Sequence, residues 1–238
     1  MDIEDIQVDA IIVAGGIGKR MEADRPKQLL ELNGRSILRW TLAPFLACDA
    51  IARICIVSAK ESMGLVRDEV ATANPAKAVT IVEGGRERQD SVRNGIASLP
   101  EESHIVCVHD AVRPFITAEL LTKSIQAAAE HGAVTVVRPL KETVKEVRDG
   151  VVAGTPDRSS LWITQTPQVF KTALLREAHE KAHNEGFCGT DDCMLVERLG
   201  LPVHIIEGSD YNIKITTPAD LRFAGAIAPL FENGGKAC

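Results

Sequence analysis

The sequence predicts an α/β protein: an open, mostly parallel sheet with helices on both faces, and a β-arm that protrudes from it. Three observations predict this. Short apolar runs at 8–14, 52–58, 78–83, 104–109 and 133–138 alternate with helical patterns at 36–47, 61–73, 88–98 and 117–131. The first run breaks into Gly15-Gly16-Ile17-Gly18, followed at once by Lys19-Arg20. Further on, Asp149-Gly150 joins two β-prone runs in a stretch more polar than the rest.

The first run, Val8 to Ala14, is continuously apolar and bounded by glycines, as a strand buried on both faces would be. Glycines after such a strand let backbone N–H groups come close to a ligand and form an anion-binding concavity. Lys19, Arg20 and Lys27, which follows Pro26, put three cations at its lip. Spacing excludes two common phosphate motifs. A P-loop would need Gly where Val13 stands and Ser or Thr where Arg20 stands. A dinucleotide fingerprint fits Gly16 and Gly18 but meets Met21 at its third glycine. The second strand also ends in Ser58-Ala59, with no ribose-binding acid, which disfavours a nicotinamide dehydrogenase.

The next elements follow from period and caps. Ser36 can cap a helix whose Ile37, Leu38, Thr41, Leu42, Phe45 and Leu46 share a face. After the third strand comes the polar loop Glu83 to Ser91, then a helix with Val92, Ile96 and Leu99 on one side. After the fourth comes His109-Asp110-Ala111-Val112-Arg113-Pro114. Ligands of parallel sheets bind beyond the carboxyl ends of the strands, so the loops after strands one, three and four are the expected site.

The segment 139–163 reads as an arm. Asp-Gly between Thr143–Arg148 and Val151-Val152 is a strong hairpin signal. A two-stranded ribbon alone is marginal in water, so the arm should lean on something else, most economically a second copy of the chain. Beyond it, Thr190-Asp191-Asp192 opens a helix ending near Gly200, with carboxylates suited to its N-terminus. A strand at 203–207 follows, and Thr217-Pro218-Ala219-Asp220 opens a last helix. Residues 1–231 are expected to form a single domain, and 232–238 to be a flexible tail.

Composition bounds the function. A chain of 238 residues with 45% hydrophobic and 25% charged residues suits one globular domain with a full core. Its net charge of −6 disfavours a nucleic-acid surface, and its cations gather in clusters suited to a small anionic ligand. No apolar run approaches ~18 residues, which disfavours a membrane span. The N-terminus MDIEDIQV is unlike a secretory signal. Six scattered cysteines without a Cys-x-x-Cys pair read as free thiols in the cytoplasm. The six histidines lack the spacing of a zinc site.

Taken in order, AGGIGKRM, PKQ (26–28), GGRERQDSV (84–92), HDAVRP (109–114), KETVK (141–145), TPDRSSLW (155–162), TQTPQ (164–168) and NIKITTPAD (212–220) resemble one family over Val8 to Ala228. It is the 2-C-methyl-D-erythritol 4-phosphate cytidylyltransferases of the non-mevalonate isoprenoid pathway. The resemblance implies a Rossmann-like nucleotidyltransferase fold, Mg²⁺, and transfer of a cytidylyl group from CTP to a sugar-alcohol phosphate with release of pyrophosphate. It assigns Arg20 and Lys27 to the reacting α-phosphate, and the Gly15–Gly18 backbone with Lys19 to the triphosphate. Cytosine recognition falls to the backbone of Ala14, Gly85 and Arg86 with the Ser91 hydroxyl; many relatives carry an acidic residue where Arg86 stands. Asp110, Arg113, Thr143, Arg158, Thr166 and Lys214 take the acceptor side, with Arg158 and Lys214 close to the chemistry. Mg²⁺ would be held mainly by the CTP phosphates, with no dedicated protein ligand assigned and Asp110 suited either to substrate hydroxyls or to a cation. Thr143 and Arg158 would reach a neighbouring subunit's site, which implies a homodimer. A ribitol 5-phosphate cytidylyltransferase and an inactive nucleotide-binding regulator are the alternatives. TPDRSSLW disfavours the first, and the joint presence of Arg20, Lys27, Asp110, Arg113, Arg158 and Lys214 the second.

Overall fold

The computed structural model describes residues 6–16 and 25–232. In chain order, β1 (Val8–Ala14) is followed by the short pair β2 (Glu31–Leu32) and β3 (Arg35–Ser36), then α1 (Ile37–Ala47) and β4 (Arg53–Ser58). Next come α2 (Met63–Ala73), β5 (Ala78–Glu83), α3 (Arg88–Ala97), β6 (Ile105–Asp110), α4 (Ala118–His131) and β7 (Ala133–Pro139). The arm carries β8 (Glu146–Arg148) and β9 (Val151–Gly154). The chain closes with β10 (Trp162–Lys171), α5 (Thr172–Asn184), α6 (Asp192–Glu197), β11 (His204–Glu207) and α7 (Pro218–Ile227).

Seven strands form the central sheet in the order β11-β7-β10-β6-β1-β4-β5. β1 lies at its heart, parallel to both β4 and β6. The β4–β5 and β7–β11 pairs are also parallel, so the expected α/β architecture holds. β10 alone runs antiparallel, inserted between β6 and β7.

The two-residue period of β1 divides the core. Ala10, Ile12 and Ala14 face one side with Leu38, Leu42 and Phe45 of α1 and Leu121 of α4. Ile11 faces the other with Val92 and Ile96 of α3 and Leu175 of α5. Both faces are therefore dry, which is why the strands read as unbroken apolar runs. On the second face α3 sits unusually close: a Cβ on Gly95 would fall 2.9 Å from Ile11 Cγ2 and 3.0 Å from Val57 Cγ2. A third cluster, with Trp40, Phe115, Ile215 and Ala224, packs α7 against the loops at the carboxyl end of the sheet.

Several local expectations hold. Ser36 accepts from Arg39 N and caps α1. Thr217 and Asp220 form a reciprocal capping box with Pro218 at the helix start. Asp149 and Gly150 both have positive φ, 49° and 79°, the pairing an Asn-Gly or Asp-Gly hairpin turn requires. The arm leaves the sheet where Pro139 pairs with Trp162, and β8–β9 is a separate two-stranded ribbon. Trp40 is buried, whereas Trp162 is 42% exposed at the arm's base.

β10 and α5 were not expected. Thr164-Gln165-Thr166-Pro167-Gln168 is too polar to read as a central strand, and Pro within a run argues against one. The fold accommodates it with a register shift between Thr164 and Gln168. Buried Gln165 and Gln168 find partners in Ser209 O, Thr135, Asp191 and the backbone of Asp192. Of the 232–238 tail only Glu232 lies among the described residues, and Gly18, Lys19 and Arg20 lie outside them.

Candidate active site

A cleft of about 760 Å³ opens at the carboxyl ends of β1, β4, β5 and β6. It is the place the topology predicts for ligand binding. Ala14, Gly15, Gly16, Lys27, Gly85, Arg86, Ser91, Asp110 and Lys214 all line it, so nine of the residues singled out in the sequence meet in one space.

The first wall grows from the end of β1. Gln28 is buried and donates from Nε2 to the Ala14 carbonyl at 2.6 Å. That bond ties the helical turn Lys27–Leu29 to the strand end. Lys27 is thereby held across from the glycine turn: a Cβ on Gly16 would lie 3.5 Å from Lys27 Cε.

The second wall is the loop between β5 and α3. Gly84 N donates to Ser58 O at 2.8 Å, fixing the loop to β4. Ser91 Oγ accepts from Gly85 N at 3.1 Å and donates to Glu87 O at 3.1 Å. Its hydroxyl thus organises the loop as well as lining the cleft. Gly85 is required here because a Cβ would fall 2.1 Å from Asp90 Cβ. The helix start is completed by a capping box between Glu87 and Asp90.

The third wall is a charge cluster around Asp110, the last residue of β6. Its carboxylate meets Lys214 Nζ at 2.8 Å, Arg113 Nε at 3.3 Å and Arg88 Nε at 3.5 Å. Burial alone would raise its pKa, but Lys214, Arg88 and Arg113 together drive it far below the usual carboxylate range. Asp110 is therefore ionised and acceptor-only at neutral pH. Arg113 is itself buried, donates from Nη1 to Asn212 O at 2.9 Å, and does not line the cleft. Burial lowers its pKa against the pull of Asp110.

Thr166 lies behind this wall. Its Oγ1 accepts from Asp110 N at 3.1 Å and stands 3.0 Å from His109 Nδ1. On the other side of the ring, His109 Nε2 lies 3.1 Å from the Arg113 carbonyl, so Nε2 carries the proton and Nδ1 accepts from Thr166. Burial pushes the His109 pKa down to about 4, so the ring is neutral and acts as a fixed spacer.

Thr143 and Arg158 stay on the arm and do not line the cleft of their own chain. Arg158 Nη1 donates to the Lys141 carbonyl at 2.8 Å. The Lys141 ammonium pairs with Asp210, which also meets Arg138 at 3.6 Å. These contacts brace the root of the arm against the loop that carries Lys214.

Sequence reasoning missed Arg88 and Asp192. Arg88 lines the cleft and donates from Nη1 to Asp192 Oδ2 at 2.7 Å. Asp191 is the helix cap expected, accepting from Met194 N at 3.0 Å. Asp192 beside it is buried and serves Arg88 and His179 instead. The only signal was a charged residue at each of two helix starts.

A turn of glycines facing lysines across a cleft this size is built to hold the phosphates of a nucleotide, and the molecule is of the nucleotidyltransferase class. Comparison with known proteins agrees and is more specific. A family model described as 2-C-methyl-D-erythritol 4-phosphate cytidylyltransferase matches residues 8–229. The chain belongs to that family. It is similar to the 2-C-methyl-D-erythritol 4-phosphate cytidylyltransferase of Syntrophus aciditrophicus, with 45% identity over 93% of this chain and 95% of the relative. Its fold resembles the 4-diphosphocytidyl-2C-methyl-D-erythritol synthase of Anaerococcus prevotii, with TM-score 0.86, 33% identity, and 95% and 98% of the two chains covered. It also resembles the cytidylyltransferase of Thermus thermophilus, with TM-score 0.77, 32% identity, and 94% and 99% covered.

Proposed function

We propose that the chain transfers a cytidylyl group from CTP to 2-C-methyl-D-erythritol 4-phosphate, giving 4-diphosphocytidyl-2-C-methyl-D-erythritol and pyrophosphate. One observation carries this reading. A single cleft brings the Gly15-Gly16 turn and Lys27 together with the Lys214–Asp110 pair, so a nucleotide wall and an acceptor wall face one another.

The acceptor's phosphate monoester is already anionic near neutral pH, so no protein base is needed to create the nucleophile. The barrier lies in bringing two anions together and in stabilising charge on the α-phosphate during in-line displacement. Lys27, with Arg20 from the segment that follows the glycine turn, supplies fixed positive charge there. The backbone of Gly15, Gly16 and Gly18 and the Lys19 ammonium hold the departing pyrophosphate. Ala14, Gly85, Arg86 and Ser91 border the base. Lys214 and Asp110 orient the acceptor, with Arg113 and Thr166 supporting Asp110 from behind.

Mg²⁺ fits this donor set as a substrate-borne ion. Among the described residues no group of three or more His, Cys, Asp or Glu side chains could hold a metal. Asp110 is the ionised carboxylate that the charge cluster presents to the cleft, and Mg²⁺ characteristically takes one or two carboxylates plus substrate phosphates. Bound there, the ion would offset triphosphate charge.

The arm supports a homodimer with shared sites. Val147, Val151 and Val152 are 59%, 69% and 57% exposed, a costly surface for a ribbon with no partner. A second copy covering it would bring Thr143 and Arg158 to its cleft. Free Cys48, Cys55, Cys107, Cys188 and Cys193 suit the cytoplasm, and no described helix is long and apolar enough to cross a membrane.

The test is pyrophosphate release with CTP and Mg²⁺, comparing methylerythritol phosphate with ribitol 5-phosphate. Preference for the first is expected. Preference for ribitol phosphate would overturn the acceptor assignment, and release with neither would favour an inactive nucleotide-binding module.

A further inference from the structure

Behind the charge cluster lies a second buried layer that the reaction, as described, does not use. Arg88, the first residue of α3, bridges two carboxylates: Asp192 at 2.7 Å through Nη1 and Asp110 at 3.5 Å through Nε. The short bond goes to the acid outside the cleft, and the long one to the acid inside it.

Asp192 is held at three points. Its Oδ2 takes Arg88, its Oδ1 takes His179 Nε2 at 2.9 Å, and its backbone N donates to Gln168 Oε1 at 3.1 Å. Asp192 and His179 are both about as buried as side chains become, at 1% and 2% exposure. An ionised carboxylate can only accept, so His179 presents its Nε2 proton to Asp192. Burial works against charge at Asp192, and Arg88 and His179 more than offset it, so its pKa lies below the usual range. Gln89, the next residue of α3, locks the same junction by donating to Phe187 O at 2.9 Å and accepting from Gly189 N at 2.8 Å.

We propose that Asp192, anchored by His179 and Gln168, is a positioning residue for the reaction: it holds Arg88 back from Asp110, leaving that carboxylate to Lys214 and the acceptor. The inference rests on the cytidylyltransferase reading above. Three cations, Arg88, Arg113 and Lys214, face two carboxylates, Asp110 and Asp192. With the Asp192 charge removed, Asp110 becomes the one acid left to Arg88. A guanidinium in this setting closes into a bidentate pair. Asp110 would then turn from Lys214, and the ammonium at the acceptor wall would lose its fixed place. The nucleotide wall, built on Gln28, Ser58 and Ser91, would be untouched.

The experiment is a double-mutant cycle of Asp192→Asn and Arg88→Gln, read as separate KM values for CTP and for the acceptor, with thermal unfolding in parallel. Asp192→Asn is expected to raise the acceptor KM at least about tenfold while the CTP KM moves less than about threefold. In the Arg88→Gln background the same substitution should add less than about twofold, because the group it restrains is gone. Loss of activity through a smaller folded fraction, which lowers turnover and leaves both KM values alone, would overturn the proposal. So would equal changes in both KM values. If Asp192→Asn is recovered unfolded, His179→Gln is read in its place. A selective rise in acceptor KM supports the inference, and an unchanged acceptor KM overturns it. Wild-type enzyme inactive with both substrates would overturn the functional reading and this inference with it. An active wild type with indifferent variants overturns the positioning role alone.

Discussion

Replacing Thr166 with valine separates two roles for one hydroxyl. Valine matches threonine in shape, so the change removes hydrogen bonding and leaves no cavity. Two partners then lose their bond at once: the Asp110 backbone N–H and His109 Nδ1, both buried. Each buried polar group left unpaired costs about 1–3 kcal/mol, so the structure predicts a loss of about 2–6 kcal/mol. That is a large share of a typical stability of about 5–15 kcal/mol. With a urea m-value of about 2 kcal/mol/M, the unfolding midpoint should fall by about 1–3 M. The assay is equilibrium urea unfolding beside acceptor KM. A midpoint within about 0.2 M of wild type, with an acceptor KM raised tenfold or more, would refute the reasoning. It would mean that the hydroxyl serves substrate and that its internal bonds contribute little.

Four further outcomes are expected. Gly85→Ala places a methyl 2.1 Å from Asp90 Cβ, so the loop must move; CTP KM should rise about tenfold, and a change under about twofold would count against the tight loop. Lys27→Ala should lower kcat by about 10²–10³ in pre-steady-state turnover, and near-normal turnover would remove it from the transition state. Arg158→Ala should raise the acceptor KM about 10–100-fold with CTP KM little changed, and equal effects would place the arm elsewhere. His109 has a pKa near 4 when folded against 6.5 when free, so the unfolded chain binds the proton first. Its contribution to stability is complete above pH 6.5 and is lost as pH falls toward 4, about 2 kcal/mol of it between pH 7 and 5. Urea unfolding at the two pH values should show this drop in wild type and not in His109→Asn, and an equal drop in both would exclude His109 as its source.

The parts of the fold legible in the sequence were those whose physics is local. β1 announced itself because burial on both faces demands an unbroken apolar run, and the glycine turn because backbone approach demands missing side chains. Asp149-Gly150 was legible because its turn needs positive φ. β10 was not. Its burial is made tolerable by glutamines whose partners, Thr135 and Asp191 for Gln168, lie 33 and 23 residues away. Arg88 was hidden for the same reason, since its partner Asp192 lies 104 residues further along the chain. Each reads as an ordinary surface charge at a helix start until the two helices are brought together. The cations of the cleft and Thr166 were legible through their motifs, whereas the supporting contacts of Gln28, Thr166 and Asp192 are made with residues that no short window contains.

The placement of β10 has a mechanical consequence. The chain enters the arm along β7 and returns along β10, and these two strands are neighbours in the sheet. A pull on the arm along its length therefore drags both strands together and does not peel one from the other. It is resisted as shear, by four residue pairs against β6 on one side and four against β11 on the other. β6 ends in Asp110, so tension applied at the far tip is carried to the strand that holds the acid of the cleft. A molecule that grips the arm therefore pulls on two adjacent strands rooted in the sheet.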